Sequence, residues 1–434
     1  MSDLQKSKEK STPNFKHMAK RAVGGAAGLA GVVVMAPARA AAESVNETAA
    51  LMMGEGELRT GYGLASGVFA LSLALLCFMG VLAFHFPQYL TTPELRVKYD
   101  VGMIRHIMLG ALMIAGGWSL ANVARNRSRP LNCVALVLVI ATVILGGSRV
   151  PVGDFPDHTP YLGLDWLILD LLGSSIVFIA LEKAFPLYRG QAIFRKAWQN
   201  DMIHFGVNHL LIGFMLLVVN YAIHNVFGWM ARGEVQGFVS SMWFVPQLLL
   251  CVFLADFVEY WVHRAYHEVP FLWKFHAVHH SSEVMDWIAG SRLHMLEIIF
   301  TRVMILGALY VAGFSKPVLD AYIIVVGFQA VFNHSNVHIN WGPLRKIFVT
   351  PDFHHWHHSS DDEAIDRNYA AHFSFIDSLF GTAVDAEKRF PKKYGVVGDY
   401  VPNGFFRQQA FPFRPIPAAQ AASTGELAIT EVEP

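Results

Sequence analysis

Long apolar runs alternate with short polar segments along most of the chain. The apolar stretches lie at about 64–86, 107–124, 131–147, 163–182, 204–228 and 241–262. A helix needs ~20 apolar residues to cross a bilayer, and each of these runs is near that length. In hydrocarbon the backbone must satisfy its own hydrogen bonds, so the runs predict helices rather than open strands. Two shorter runs, 296–314 and 317–333, carry Glu297 and Arg302 near their start and predict a hairpin that crosses only in part. The fold class expected is all-α: a polytopic membrane helix bundle with a cytoplasmic histidine-rich helical cap that holds a di-metal site.

The polar segments divide the chain. Residues 1–41 combine a basic N-terminus with a Gly- and Ala-rich apolar segment at 22–37, ending in a small-residue motif like a signal cleavage site. Residues 42–160 read as three additional transmembrane helices without a chemical motif. Residues 161–385 read as the catalytic domain, and 386–434 as a Pro-rich cytoplasmic tail with little regular structure. Arg125, Arg127 and Arg129 follow the second span, and Arg189, Arg195 and Lys196 follow the fourth. Positive loops stay inside, so both are expected to be cytoplasmic. Threading onward brings the ends of all later helices to that same side. The parity requires that 22–37 does not also span.

Composition agrees with this reading. The chain is 53% hydrophobic and 16% charged, against about 25% charged in soluble domains. Net charge is zero, which gives no electrostatic case for nucleic acid. Cys77, Cys133 and Cys251 are scattered in apolar runs and cannot form a disulfide framework.

Histidines change the picture. Eleven fall into four clusters: His263 with His267; His276, His279 and His280; His334 with His338; and His354, His355, His357 and His358. On a helix, positions i, i+3 and i+4 share a face. Each cluster can therefore aim at one spot, with His355 alone off the shared faces. Imidazole is the commonest neutral metal ligand near neutral pH. Ten ligands are too many for one tetrahedral zinc but suit two metals with open positions. Iron fits oxygen chemistry on nitrogen ligands; zinc, copper and nickel also accept imidazole. A solvated metal-scavenging tract would lack the aromatic anchors Trp261, Tyr266, Trp273, Phe275, Phe353 and Trp356 found among these histidines.

The order HxxxH, HxxHH and a late HHxHH resembles the fatty acid hydroxylase/sterol desaturase superfamily of membrane di-iron enzymes, in its bacterial sterol desaturase-like form. The likeness covers roughly residues 200–385. It includes Asp256 and Tyr260-Trp261-Val262-His263-Arg264, Ser291-Arg292-Leu293-His294, Thr350-Pro351 before the last cluster, and Asp377 with Phe380-Gly381-Thr382. It implies ten ligands: His263, His267, His276, His279, His280, His334, His338, His354, His357 and His358. His294 is a candidate supporting group, since Met295 stands where the family often has proline. Ligating histidines usually pass their second nitrogen to a carboxylate or carbonyl. Asp256, Glu259, Glu283, Glu297, Asp352, Asp361 and Asp377 are placed to serve, and Asp256 is favoured.

The resemblance implies two non-haem irons, O₂, and hydroxylation of an unactivated C–H bond in a membrane lipid. Desaturation of a sterol, carotenoid or acyl chain would use the same ligands. The chain has no dinucleotide fingerprint, haem motif or iron–sulfur cysteines. Electrons are thus expected from a separate ferredoxin or cytochrome-type donor fed by NAD(P)H. Arg264, Lys274, Arg345, Lys346, Lys388, Arg389, Lys392 and Lys393 could form its docking face. The location expected is a bacterial inner membrane. A metal transporter would place ligands at the bilayer midplane between broken helices, whereas these clusters lie at helix ends.

Overall fold

The structure is a computed structural model that describes residues 64–96, 98–125, 129–153, 161–384, 390–398 and 400–415. The signal-like segment, the N-terminal basic residues and residues 416–434 lie outside these. Among the described residues the fold is helical, with two isolated bridges, Pro186 with Val337 and Ser359 with Tyr394, and no extended sheet.

The principal helices are α1 (Leu64–His85), α2 (Val101–Ala124), α3 (Arg129–Ile144), α4 (Leu164–Ala184), α5 (Trp198–Leu210), α6 (Ile212–Phe227), α7 (Phe244–Glu268), α8 (Pro270–His280), α9 (Met295–Ala312), α10 (Lys316–His334), α11 (Pro351–His357), α12 (Phe375–Phe380) and α13 (Phe405–Ala410). Among the described residues, seven segments are long and apolar enough to cross a membrane, including both helices of the 295–334 pair. Their apolar faces are not buried by protein: within α4 the most apolar window is only 11% buried. A helix apolar on all sides yet mostly uncovered is one whose solvent is lipid.

Two compact units are present. One contains residues 112–140 and the described part of 64–75, where Ala74, Ala115 and Ala135 allow close helix approach. The other contains 76–111 and everything from 141 onward, including all four histidine clusters. Its core places Cys251, Val252 and Ala255 of α7 against Ile305 and Leu309 of α9 and Val318 and Tyr322 of α10.

The apolar run at 204–228 is not one helix. It breaks at Leu211, between α5 and α6. The chain at 161–163 crosses there, and the Gly163 N–H takes the Leu210 carbonyl freed by the break. Gly213 makes the crossing possible, because a Cβ there would lie 2.5 Å from the Tyr161 carbonyl oxygen. α5 carries the buried polar residues Asn200, Asp201 and His204, which explains why it is not part of a span.

The C-terminal segment is also more ordered than its proline content predicts. Residues 400–415 include α13, whose Gln408 reaches His204 and Asn200. Tyr394 and Tyr400 hydrogen-bond His355 and Trp273.

Candidate metal centre

The α7–α8 corner begins the site. Proline disfavours helical backbone in the residue before it and is well accepted at a helix start. Val269-Pro270 therefore ends α7 and starts α8, folding His276 and His280 back towards His263 and His267. α11 starts in the same way, at Pro351 behind the Thr350 cap, and adds His357. His263, His267, His276, His280 and His357 form one group, with candidate ligand atoms all within 4.8 Å of one another. His279, His334, His354 and His358 form a second.

These groups divide the sequence clusters. His279 leaves the face it shares with His276 and His280, and His357 parts from His354 and His358. The Nε2 atoms of His263 and His276 stand 3.0 Å apart, and those of His276 and His280 3.1 Å apart. In the second group His334 Nε2 lies 3.2, 3.0 and 3.2 Å from the Nε2 atoms of His279, His354 and His358.

In six of the nine rings the other nitrogen is engaged outward, while Nδ1 of His354 and of His358 is buried without a partner. The Nδ1–H groups of His263, His279, His334 and His357 donate to the carbonyls of Tyr369, Arg292, Ala330 and Arg367. Carbonyls only accept, so in each neutral ring Nε2 is a bare lone pair. His276 Nδ1 meets Glu297 Oε1 at 2.6 Å and His267 Nδ1 meets Asp366 at 3.2 Å. Burial holds the imidazoles of His276, His279, His280, His354, His357 and His358 well below their ordinary protonation range, and the neighbouring histidines add to the effect.

Neutral rings with lone pairs about 3 Å apart and no proton between them repel, unless a cation lies among them. The Nε2 atoms of His267 and His357 are buried without any partner. Two nitrogens each about 2.1 Å from one ion, at an angle of about 90–100°, would be separated by about 3.0–3.2 Å. The donor set thus fits two metal ions.

His338 departs from the expectation. α10 ends at His334, Ser335 is extended, and the His338 N–H pairs with the Phe185 carbonyl. The i, i+4 relation therefore fails, and the His338 ring is partly exposed and bonded to Asp352. His294 also lies apart from both groups: its ring caps the Leu296 N–H and meets the Gln409 carbonyl. Asp256 is buried but touches no histidine ring. Its carboxylate accepts the backbone N–H groups of Ala371, His372 and Phe373, anchoring the segment whose Tyr369 carbonyl receives His263. Asp377 accepts the N–H groups of Tyr369 and Ala370 and completes that anchor. His355 bonds to Tyr394 and backbone carbonyls, off the centre as expected.

One supporting structure had no local sequence signal. Arg195 and Arg292 form a buried network with Asp201 and Asp286. It locks Arg292, whose carbonyl holds His279. Arg195 is 4% exposed and is thus not a free loop charge.

A helical membrane-type protein with a two-part histidine centre is the class that this fold and site define. The fatty acid hydroxylase family model matches residues 248–382, a stretch containing all nine clustered histidines. Ornithine lipid hydroxylase of Rhizobium tropici is 29% identical over 255 residues, covering 56% of this chain and 77% of that protein. Human alkylglycerol monooxygenase is 35% identical over 144 residues, 32% of this chain and 31% of its own length. A very-long-chain aldehyde decarbonylase of Oryza sativa subsp. japonica is 26% identical over 227 residues, 50% of this chain and 84% of its own. No solved structure gives a significant match. Over this region the chain is similar to the fatty acid hydroxylase family, and the relatives it matches are named as oxidoreductases, a hydroxylase and a monooxygenase among them.

Proposed function

We propose that the protein hydroxylates an unactivated C–H bond of a membrane lipid at a di-iron centre. His263, His267, His276, His280 and His357 would hold one iron, and His279, His334, His354 and His358 the other. The observation that carries this reading is the inward set of unprotonated Nε2 atoms in two adjacent groups. When bound, the two irons would supply O₂ reduction: one oxygen atom enters the C–H bond and the other leaves as water, using two electrons and two protons.

The protein's own part is to hold the ligands and exclude water. The carbonyls of Tyr369, Arg292, Ala330 and Arg367 fix four rings through their Nδ1–H groups, and Glu297 fixes a fifth. Such partners set ring orientation and raise ligand basicity. The clustered histidines are largely buried, which keeps bulk water from the reacting atoms. The similarity to a lipid hydroxylase supports a lipid substrate. The positive loops support a cytoplasmic active site in a bacterial inner membrane, with an NAD(P)H-fed ferredoxin or cytochrome-type donor.

The test is expression in a membrane host under ¹⁸O₂, followed by lipid mass spectrometry. A lipid gaining one ¹⁸O, absent with His279→Ala, is expected. Loss of two hydrogens without oxygen would replace hydroxylation by desaturation, and no O₂-dependent change with two irons bound would overturn the oxidative reading.

A further inference from the structure

The chain that follows the last histidine cluster turns back along the spans. α7 is 25 residues long, and the ~20 residues that cross a hydrocarbon core run from Phe244 to about His263. α10 starts at Lys316 and ends at His334. The histidines thus sit where the two spans leave the hydrocarbon, and residues 371–375 lie deeper. Asp256 takes the N–H groups of Ala371, His372 and Phe373 at 2.8, 3.1 and 2.6 Å. It stands seven residues before His263, about 10 Å down α7. Gln329 Oε1 takes the His372 Nδ1–H at 2.7 Å. It stands five residues before His334, about 7 Å down α10. The Phe375 ring stacks 6.3 Å from that of Phe253, ten residues before His263. Contacts on two spans therefore fix the same depth.

The surface of this segment is not that of a water-facing loop. Leu344, Ile347, Phe348, Phe375 and Leu379 are exposed, Leu379 by 73%. The Phe348 and Phe373 rings pack at 5.8 Å, the Val349 N–H donates to the His372 carbonyl, and the Ser374 hydroxyl donates to the Arg345 carbonyl. Residues 344–349 and 372–375 are thus one layer. Through Phe253 its exposed side chains are continuous with the uncovered apolar face of α7, which includes Val245 and Leu249. Irregular backbone enters hydrocarbon only where protein satisfies its polar groups. The Asp256 carboxylate does so for three consecutive N–H groups, which gives a buried acid within a span its reason. Arg345 and Lys346 stand among the apolar side chains, and such long basic side chains reach out to the anionic surface of a leaflet. We infer that residues 344–348 and 373–380 form a re-entrant wedge inserted in the leaflet on the histidine side, so that part of the cap is solvated by acyl chains instead of water. The inference stands whether or not the centre oxidises a lipid.

The test uses the native, metal-loaded protein in nanodiscs of phosphatidylcholine and phosphatidylglycerol. A phosphatidylcholine with a diazirine in its acyl chain is photolysed, and adducts are mapped by peptide mass spectrometry. Adducts are expected on 344–348 and 375–379 at a yield like that of Ile324 and Phe328, exposed side chains of α10, and not on Asp362 or Glu363. A second measurement labels Ile347→Cys and Leu379→Cys with a fluorophore in a Cys133→Ala background, Cys77 and Cys251 being buried. Both positions are exposed, so little packing is lost. Quenching by an acyl-chain nitroxide lipid and resistance to aqueous iodide are expected, with Asp362→Cys showing the reverse. Adducts confined to the spans, or iodide quenching at Ile347 and Leu379 equal to that at Asp362, would overturn the inference.

Discussion

Gly290 offers a sharp probe of the second histidine group. It lies in the turn Ala289–Ser291, against the His334 ring. A Cβ at this position would stand 2.7 Å from His334 Nδ1, 2.9 Å from Cγ and 3.0 Å from Cε1. Ordinary contact begins near 3.4 Å, so the ring must retreat by about 0.7 Å. The Nδ1–H bond to the Ala330 carbonyl opposes that movement. Metal–ligand distances tolerate about 0.2 Å. Overpacking costs about 1–3 kcal/mol, and each 1.4 kcal/mol is tenfold in affinity. Gly290→Ala should therefore weaken binding at the second group about 5- to 150-fold and leave the first group intact. Iron per chain, measured after dialysis against a graded chelator, should fall from about two to about one. Activity should fall with it, while thermal unfolding of the metal-free protein moves little. Two irons held at the same chelator strength with full turnover would refute the packing argument and His334 as a ligand.

Further outcomes follow from named contacts. Glu297→Ala removes the partner of His276 Nδ1 and should cost 10- to 100-fold in metal affinity, read by chelator competition. His338→Ala should keep iron content and turnover, because this ring lies outside both groups; loss of one iron would restore it as a ligand. Asp201→Asn leaves Arg292 without its buried counter-charge, Asp286 remaining beside Arg195, and should destabilise the fold by about 3–5 kcal/mol, seen as a lowered Tm in detergent.

The span pattern and nine of the clustered histidines were legible because both rest on periodicity and residue type. His338 was misplaced because spacing assumes a continuous helix, and α10 stops at His334. The break at Leu211 lies within an apolar run, where the signal for it is a distant glycine crossing. The partition of His279 and His357 between groups depends on how α8, α10 and α11 meet. Most partners of the ligand rings are backbone carbonyls, which every residue owns and no sequence pattern marks. Asp256 was expected to touch a ring; it instead holds the loop that does.

α8 supplies His276 and His280 to one group and His279 to the other, and α11 likewise gives His357 to one and His354 and His358 to the other. No segment between these helices belongs to a single ion. Seating the first metal orders both helices and so pre-arranges the rings for the second. Loading is then expected to be cooperative, the first ion tightening the hold on the second.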